Sequence, residues 1–157
     1  DLLYEEDCKV SVIFFNMSEE NLARILKWDS VMIGSDSSLR SLEGVLNYGK
    51  PHPRGYGTFS RVIRKYVNET SILSIEEAIY KMTGFPAQTL GLKDRGILKE
   101  GFFADITIFD QETIAEQATF TSPHNYSTGI KHVLVNGKLT INDGKHESVT
   151  NGAILKK

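Results

Sequence analysis

The chain has 157 residues, 40% hydrophobic and 24% charged, the balance of a soluble globular protein with enough length for a sizeable core. Its net charge of −2 gives no sign of nucleic acid or an anionic membrane as partner. No apolar run approaches the roughly 18 residues of a membrane helix. Cys8 is the only cysteine, so an internal disulfide is excluded and a reducing cytoplasm is the simplest setting. No signal-peptide pattern is present, and the chain opens on Asp1 without a helix or strand signal, as expected of a segment cut from a longer chain.

Val10 to Phe15 is β-branched and aromatic without a breaker, which predicts a buried strand. Ser18 is placed to cap a helix whose first turn carries Glu19 and Glu20, where negative charge suits the helix dipole. Leu22, Ile25 and Leu26 recur at helical spacing, so this helix extends to about Trp28. Asp29-Ser30 then turns the chain into Val31-Met32-Ile33, a second buried strand. The order is β-α-β, the unit of a parallel sheet, and Asp36 falls just past the carboxyl end of its second strand.

Ser37 to Lys50 is a loop rich in Ser, Gly and Asn, and Pro51 to Gly57 is rigid and turn-prone. Thr58 is placed to cap a helix with Phe59, Val62, Ile63, Tyr66 and Val67 along one stripe and Arg61, Arg64 and Lys65 opposite. Ser74 and Glu77 have capping-box spacing for a helix through about Met82. Phe85-Pro86 opens another short helix that Gly91 stops. From Leu92 the pattern becomes β: Ala104 to Phe109 reads as a strand, and Lys131–Val135 and Lys138–Ile141 flank Asn136-Gly137, a type I′ hairpin signal. Asn142-Asp143-Gly144 turns the chain again. The fold class is thus α/β to about Gly91 and mostly β afterwards.

Several motifs, in order and over nearly the whole chain, resemble one family. They are Met17-Ser-Glu-Glu-Asn-Leu22, Val31-Met-Ile-Gly-Ser-Asp36, Pro51-His-Pro-Arg-Gly-Tyr-Gly-Thr-Phe59 and Leu92-Lys-Asp-Arg-Gly96. Ala104-Asp105, Ala118-Thr-Phe120, Gly129-Ile130 and Val135-Asn-Gly137 complete the set. Together they resemble the C-terminal part of D-aminoacylases, the N-acyl-D-amino-acid deacylases of the amidohydrolase superfamily. The resemblance implies a metal-dependent (β/α)8 barrel with a small β-sandwich. By it, residues 1–91 are the last two barrel strands with their helices, and 92–157 are the C-terminal strands of the sandwich. It further implies a divalent metal, zinc being the expected one, in the full-length enzyme, an N-acyl-D-amino acid as the small-molecule partner, and a chain inactive by itself. Cyclic-amide hydrolases, the dihydroorotases and hydantoinases, are the runner-up enzymes, and a non-catalytic structural unit is the reading from a different class.

Hydrolysing an amide calls for a carboxylate within reach of the attacking water, and an Asp at a strand end can supply it. Asp36 alone reads as a turn or cap; the resemblance makes it the general base and acid, beside or on the metal, with the remaining ligands absent from this chain. Ser37 departs from the family, which often has Gly after this Asp. Arg54 alone reads as an exposed loop arginine; the resemblance makes it the residue that binds the substrate's α-carboxylate, which a guanidinium grips bidentately where Lys does not. His52 is expected to pack beside Arg54 rather than hold a metal. His124, His132 and His146 lack ligand-like spacing and are expected on the surface. Cys8 does not match the family's metal-bound cysteine and reads as a solvent-near thiol. Tyr56 and Phe59 are core or pocket lining, and Arg61 is a solvated charge without a role.

Two barrel strands cannot close a barrel, so their edges and apolar faces are left uncovered in the isolated chain. It is expected to form a homo-oligomer, rearrange locally, or leave its first thirty or so residues poorly ordered.

Overall fold

The Ser18 side chain accepts the Asn21 N–H at 3.4 Å and starts helix α2, Glu19–Leu26, which follows a single turn of helix, α1, Leu2–Glu5. The computed structural model describes residues 1–10, 12 and 14–155. Ser11 and Ile13, inside the expected strand Val10–Phe15, lie outside the described residues. The described residues of that segment form no strand, and Val12, Phe14 and Phe15 are exposed. Val31–Ile33 is likewise irregular. The β-α-β unit and its parallel sheet are therefore not formed among the described residues, contrary to the expectation from strand composition. A strand exists only where a neighbour takes its N–H and C=O groups, and among the described residues neither segment pairs with another strand. Ile33 instead donates its N–H to Lys81 O at 3.1 Å and packs on the core.

Helix α3, Arg54–Arg61, starts four residues ahead of the expected cap. Pro53 stands at its N-cap with φ −58°, already near helical, and His52 Nδ1 accepts the Arg54 N–H at 3.0 Å, one of the donors a helix start leaves free. Thr58 does not cap; its hydroxyl donates back to Arg54 O at 2.9 Å inside the helix. The chain continues as a π-helical segment, Val62–Glu69, with Thr70 N–H reaching Lys65 O at 3.0 Å. Val62, Ile63, Tyr66 and Val67 are buried along it as their spacing predicts, while Phe59 faces solvent. The capping box of Ser74 and Glu77 opens α4, Ile75–Met82, and α5, Gly84–Leu90, ends at Gly91, whose φ of +73° suits the left-handed stop. The main core joins Leu26, Val62, Tyr66, Val67, Leu73 and Ala78.

The sheet of the second half is antiparallel, in the order β1 (Ile106–Phe109), β2 (Ile130–Val135), β3 (Lys138–Asn142), β4 (Lys145–His146). Asn136 and Gly137 have φ of +51° and +77°, both positive as the type I′ turn between β2 and β3 requires. Three of the motifs that carry the resemblance meet here. Arg95 of Leu92–Gly96 pairs with Asp105 and donates to Asn136 Oδ1 at 2.6 Å, and Asp105 accepts the Asn136 N–H at 2.8 Å. Its guanidinium also lies 4.1 Å over the Phe103 ring. These residues tie the loop after α5 to the tip of the hairpin.

Candidate active site

Asp36 and Arg54, chosen from sequence for separate roles, meet in space. Arg54 Nη2 lies 3.2 Å from Asp36 Oδ2, with the carboxylate side chain 89% exposed and the guanidinium 45%. Two local features bring them together. Asp36 has φ +49°, a left-handed conformation that Asp tolerates better than most residues and that turns the chain away from the Val31–Ile33 direction. Arg54 sits on the first residue of α3, so the helix start aims it.

The pair borders a groove of 880 Å³ whose walls include Phe15, Met32, Phe120, Arg61 and Glu116. Phe120 meets the rings of Phe15 and His52 edge-on, with centroids 4.8 and 4.9 Å apart. Burial, with the Arg54 charge second, lowers the His52 pKa below the ordinary histidine value. Its Nδ1 accepts from Arg54 N–H, which places the ring proton on Nε2. His52 thus serves the start of α3.

An ion network forms a second wall, and here Arg61 is not a free solvated charge. It donates to Glu19 Oε1 at 3.0 Å and to Glu116 Oε1 at 3.1 Å. Arg64 donates to Glu116 Oε2 at 2.7 Å and also pairs with Glu69. Lys65 lies 2.7 Å from Glu19 Oε1, and the Tyr66 hydroxyl donates to Glu19 Oε2 at 2.8 Å. Burial opposes ionisation of Glu116, yet the Arg64 and Arg61 guanidiniums hold its carboxyl below the usual range. Burial and then the Glu19 carboxylate push the Tyr66 hydroxyl up to about 12. Nothing local in the sequence marks Glu116, since its partners lie on a helix far upstream.

The other singled-out residues stand elsewhere. Tyr56 does not line the groove; its hydroxyl donates to Ser41 O at 2.8 Å and lies 3.3 Å from His124 Nδ1. His124 Nε2 lies 2.9 Å from Gly49 O, so this histidine is half-buried and pins the 37–50 loop rather than lying free on the surface. His132 Nδ1 accepts Asp143 N–H at 3.3 Å and His146 Nδ1 accepts Ser148 N–H at 3.0 Å, both in the sheet's turns. Cys8 is exposed. Among the described residues no three His, Cys, Asp or Glu side chains converge as a metal site would need. Asp36 supplies one donor, and His52 Nδ1 is already engaged, so these residues do not by themselves hold a metal. What they offer is an accessible carboxylate beside a guanidinium with donors to spare for an anion.

The model of the Amidohydrolase family matches residues 29–141. The chain is 43% identical over 130 residues to the N-acyl-D-glutamate deacylase of Alcaligenes xylosoxydans xylosoxydans, covering 83% of this chain and 25% of that protein. A crystal structure of D-aminoacylase superposes with a TM-score of 0.82 at 37% identity, over 92% of this chain and 29% of the other. The N-acyl-D-glutamate deacylase of Bordetella bronchiseptica, solved with zinc and a phosphonate mimic of the tetrahedral intermediate, superposes at 0.71 and 37% identity, over 87% of this chain and 28% of the other. Dihydroorotases match over less of the chain, that of Endomicrobium trichonymphae over 37% of it at 41% identity. The chain spans about a quarter of the length of the curated deacylase it matches. On the extent of these matches, the chain belongs to the amidohydrolase family.

Proposed function

We propose that this chain contributes the proton-handling carboxylate and the carboxylate anchor of a metal-dependent enzyme that hydrolyses N-acyl-D-amino acids to a carboxylate and a free D-amino acid. The observation that carries it is the 3.2 Å approach of Arg54 to Asp36 on the rim of a groove walled by apolar side chains and an ion network. The breadth of the deacylase match, 83% of the chain against 37% and 55% for two dihydroorotases, supports linear N-acyl amino acids over cyclic amides. The same likeness supports reading 1–91 as part of a (β/α)8 barrel and 92–157 as part of a β-sandwich.

In this reading Asp36 takes a proton from the attacking water onto a carboxylate oxygen as the water oxygen bonds to the amide carbon. When the C–N bond breaks, the same oxygen returns that proton to the leaving amine nitrogen. Arg54 holds the substrate's α-carboxylate, which displaces Asp36 from the guanidinium. That exchange is inexpensive, because an ion pair as exposed as this one is worth about 0–1 kcal/mol. A divalent metal, of which zinc in the Bordetella bronchiseptica deacylase is the precedent, supplies polarisation of the carbonyl when bound, on ligands that come mostly from outside these residues. The isolated chain is therefore inactive.

The test is turnover of N-acetyl-D-amino acids and of dihydroorotate by the full-length protein that contains this chain, with the isolated chain alongside. Release of free D-amino acid by the full-length protein alone is the expected result. Turnover of dihydroorotate only, or metal-dependent hydrolysis by the isolated chain, overturns the reading.

A further inference from the structure

Lys81 is the buried cation that the reading above leaves unused. It lies on α4, is only 5% exposed, and no carboxylate pairs with it among the described residues. Its ammonium donates instead to two main-chain carbonyls, Trp28 O and, at 3.2 Å, Val31 O. The same two residues close a turn on themselves, Val31 N–H reaching Trp28 O at 3.2 Å. This turn lies just past the end of α2, where outward-facing carbonyls favour a cation. The main chain of Lys81 grips the segment a second time, its carbonyl accepting the Ile33 N–H at 3.1 Å.

A buried ammonium is costly unless its donors are met, so a surface lysine would not substitute for this arrangement and neither would an apolar residue. Removing the ammonium leaves Val31 O without this donor and Trp28 O with only the Val31 N–H. The position of the grip matters for Asp36. Among the described residues, no main-chain to main-chain bond joins residues 34–40 to the rest of the chain, and the next is Ser41 N–H to Leu46 O. The Ile33 bond is thus the last backbone tie before the left-handed turn at Asp36.

We propose that Lys81 is a positioning residue, which holds the Trp28–Ile33 segment from both its side chain and its main chain and thereby sets where the Asp36 carboxylate stands. Its effect on turnover rests on the reading of Asp36 as the base; its effect on the loop does not.

The test uses NMR on the 157-residue chain and kinetics on the full-length protein. In Lys81→Met, hydrogen exchange of the Val31 and Ile33 amides rises by about tenfold or more, as local opening predicts. The HN–Hα coupling that reports the positive φ of Asp36 shifts toward a mixed value. Ala78 in α4 and Val133 in β2 keep their protection. Lys81→Arg, which keeps the charge and its donors, keeps the wild-type coupling at Asp36. In the full-length enzyme, Lys81→Met lowers kcat by about 10²-fold with KM nearly unchanged, the signature of a misplaced reacting group, and Lys81→Arg restores most of it. Unchanged exchange and coupling in Lys81→Met overturns the proposal. So does loss of protection at Ala78 and Val133 as well, since Lys81 would then hold the fold and not one loop. An altered loop with no deacylase activity in the wild-type full-length protein would refute the assigned reaction and leave the positioning intact.

Discussion

Replacing Glu116 by Gln removes the negative charge on which two arginines converge while keeping the side chain's size. The carboxylate is 11% exposed, with Arg64 and Arg61 at 31% and 40%. Gly57 of α3 packs so closely that a Cβ there would lie 2.7 Å from Glu116 Cβ, so the same residue also seats the helix that begins with Arg54. Hydrogen bonds to charged groups contribute about 1.5–3 kcal/mol each. Both guanidiniums are partly solvated, and each keeps another acidic partner, Glu19 for Arg61 and Glu69 for Arg64. The expected loss is therefore about 1–3 kcal/mol in all, or about 2–4 °C of Tm per kcal/mol for a chain of this size. The pH dependence follows from the lowered pKa of Glu116. A carboxyl held below its unfolded value of 4.5 stabilises the fold in full above that value, and the contribution disappears as pH falls through the folded value. Urea unfolding followed by circular dichroism should show wild type and Glu116→Gln well apart near about pH 7, with the gap closing as the pH falls below 4.5 through the lowered folded value. Equal stability near neutral pH, or a gap that persists in acid, would refute the assignment of this carboxylate as the shared partner of Arg61 on α3 and Arg64 on the π-helical segment.

Asp36→Asn in the full-length enzyme should lower kcat by about 10²–10⁴-fold, with metal content by atomic absorption falling less; wild-type kcat would remove Asp36 from the chemistry. Arg54→Lys keeps the charge and loses the bidentate fork, so KM for N-acyl-D-amino acids should rise more than for the matching amides, and equal losses would count against carboxylate anchoring. Because no three metal-donor side chains converge among the described residues, titrating the isolated chain with zinc should give no tight calorimetric binding, and chelator should leave its Tm unchanged. Stoichiometric tight zinc would mean that this chain carries a metal site of its own.

The sequence by itself determined the elements whose causes are local. Ser18 caps α2, Ser74 and Glu77 form their box, Gly91 stops α5, and Asn136-Gly137 turns the hairpin, each through residues at most a few positions apart. Motif order also identified the family and brought forward Asp36 and Arg54 before their approach was known. Tertiary structure decided the rest. Val10–Phe15 and Val31–Ile33 carry strand composition, but a strand needs a neighbour to take its backbone groups, and composition cannot supply one. The start of α3 moved to Arg54 because a proline's fixed φ and a histidine acceptor met the helix's first needs, a combination that the Thr58 signal outweighed on paper. Arg61 found Glu19 and Glu116, and Lys81 found the carbonyls of Trp28 and Val31, across 42 or more residues of chain. A charge's worth depends on what surrounds it once the chain has folded, and periodicity records only which face of its own helix it occupies.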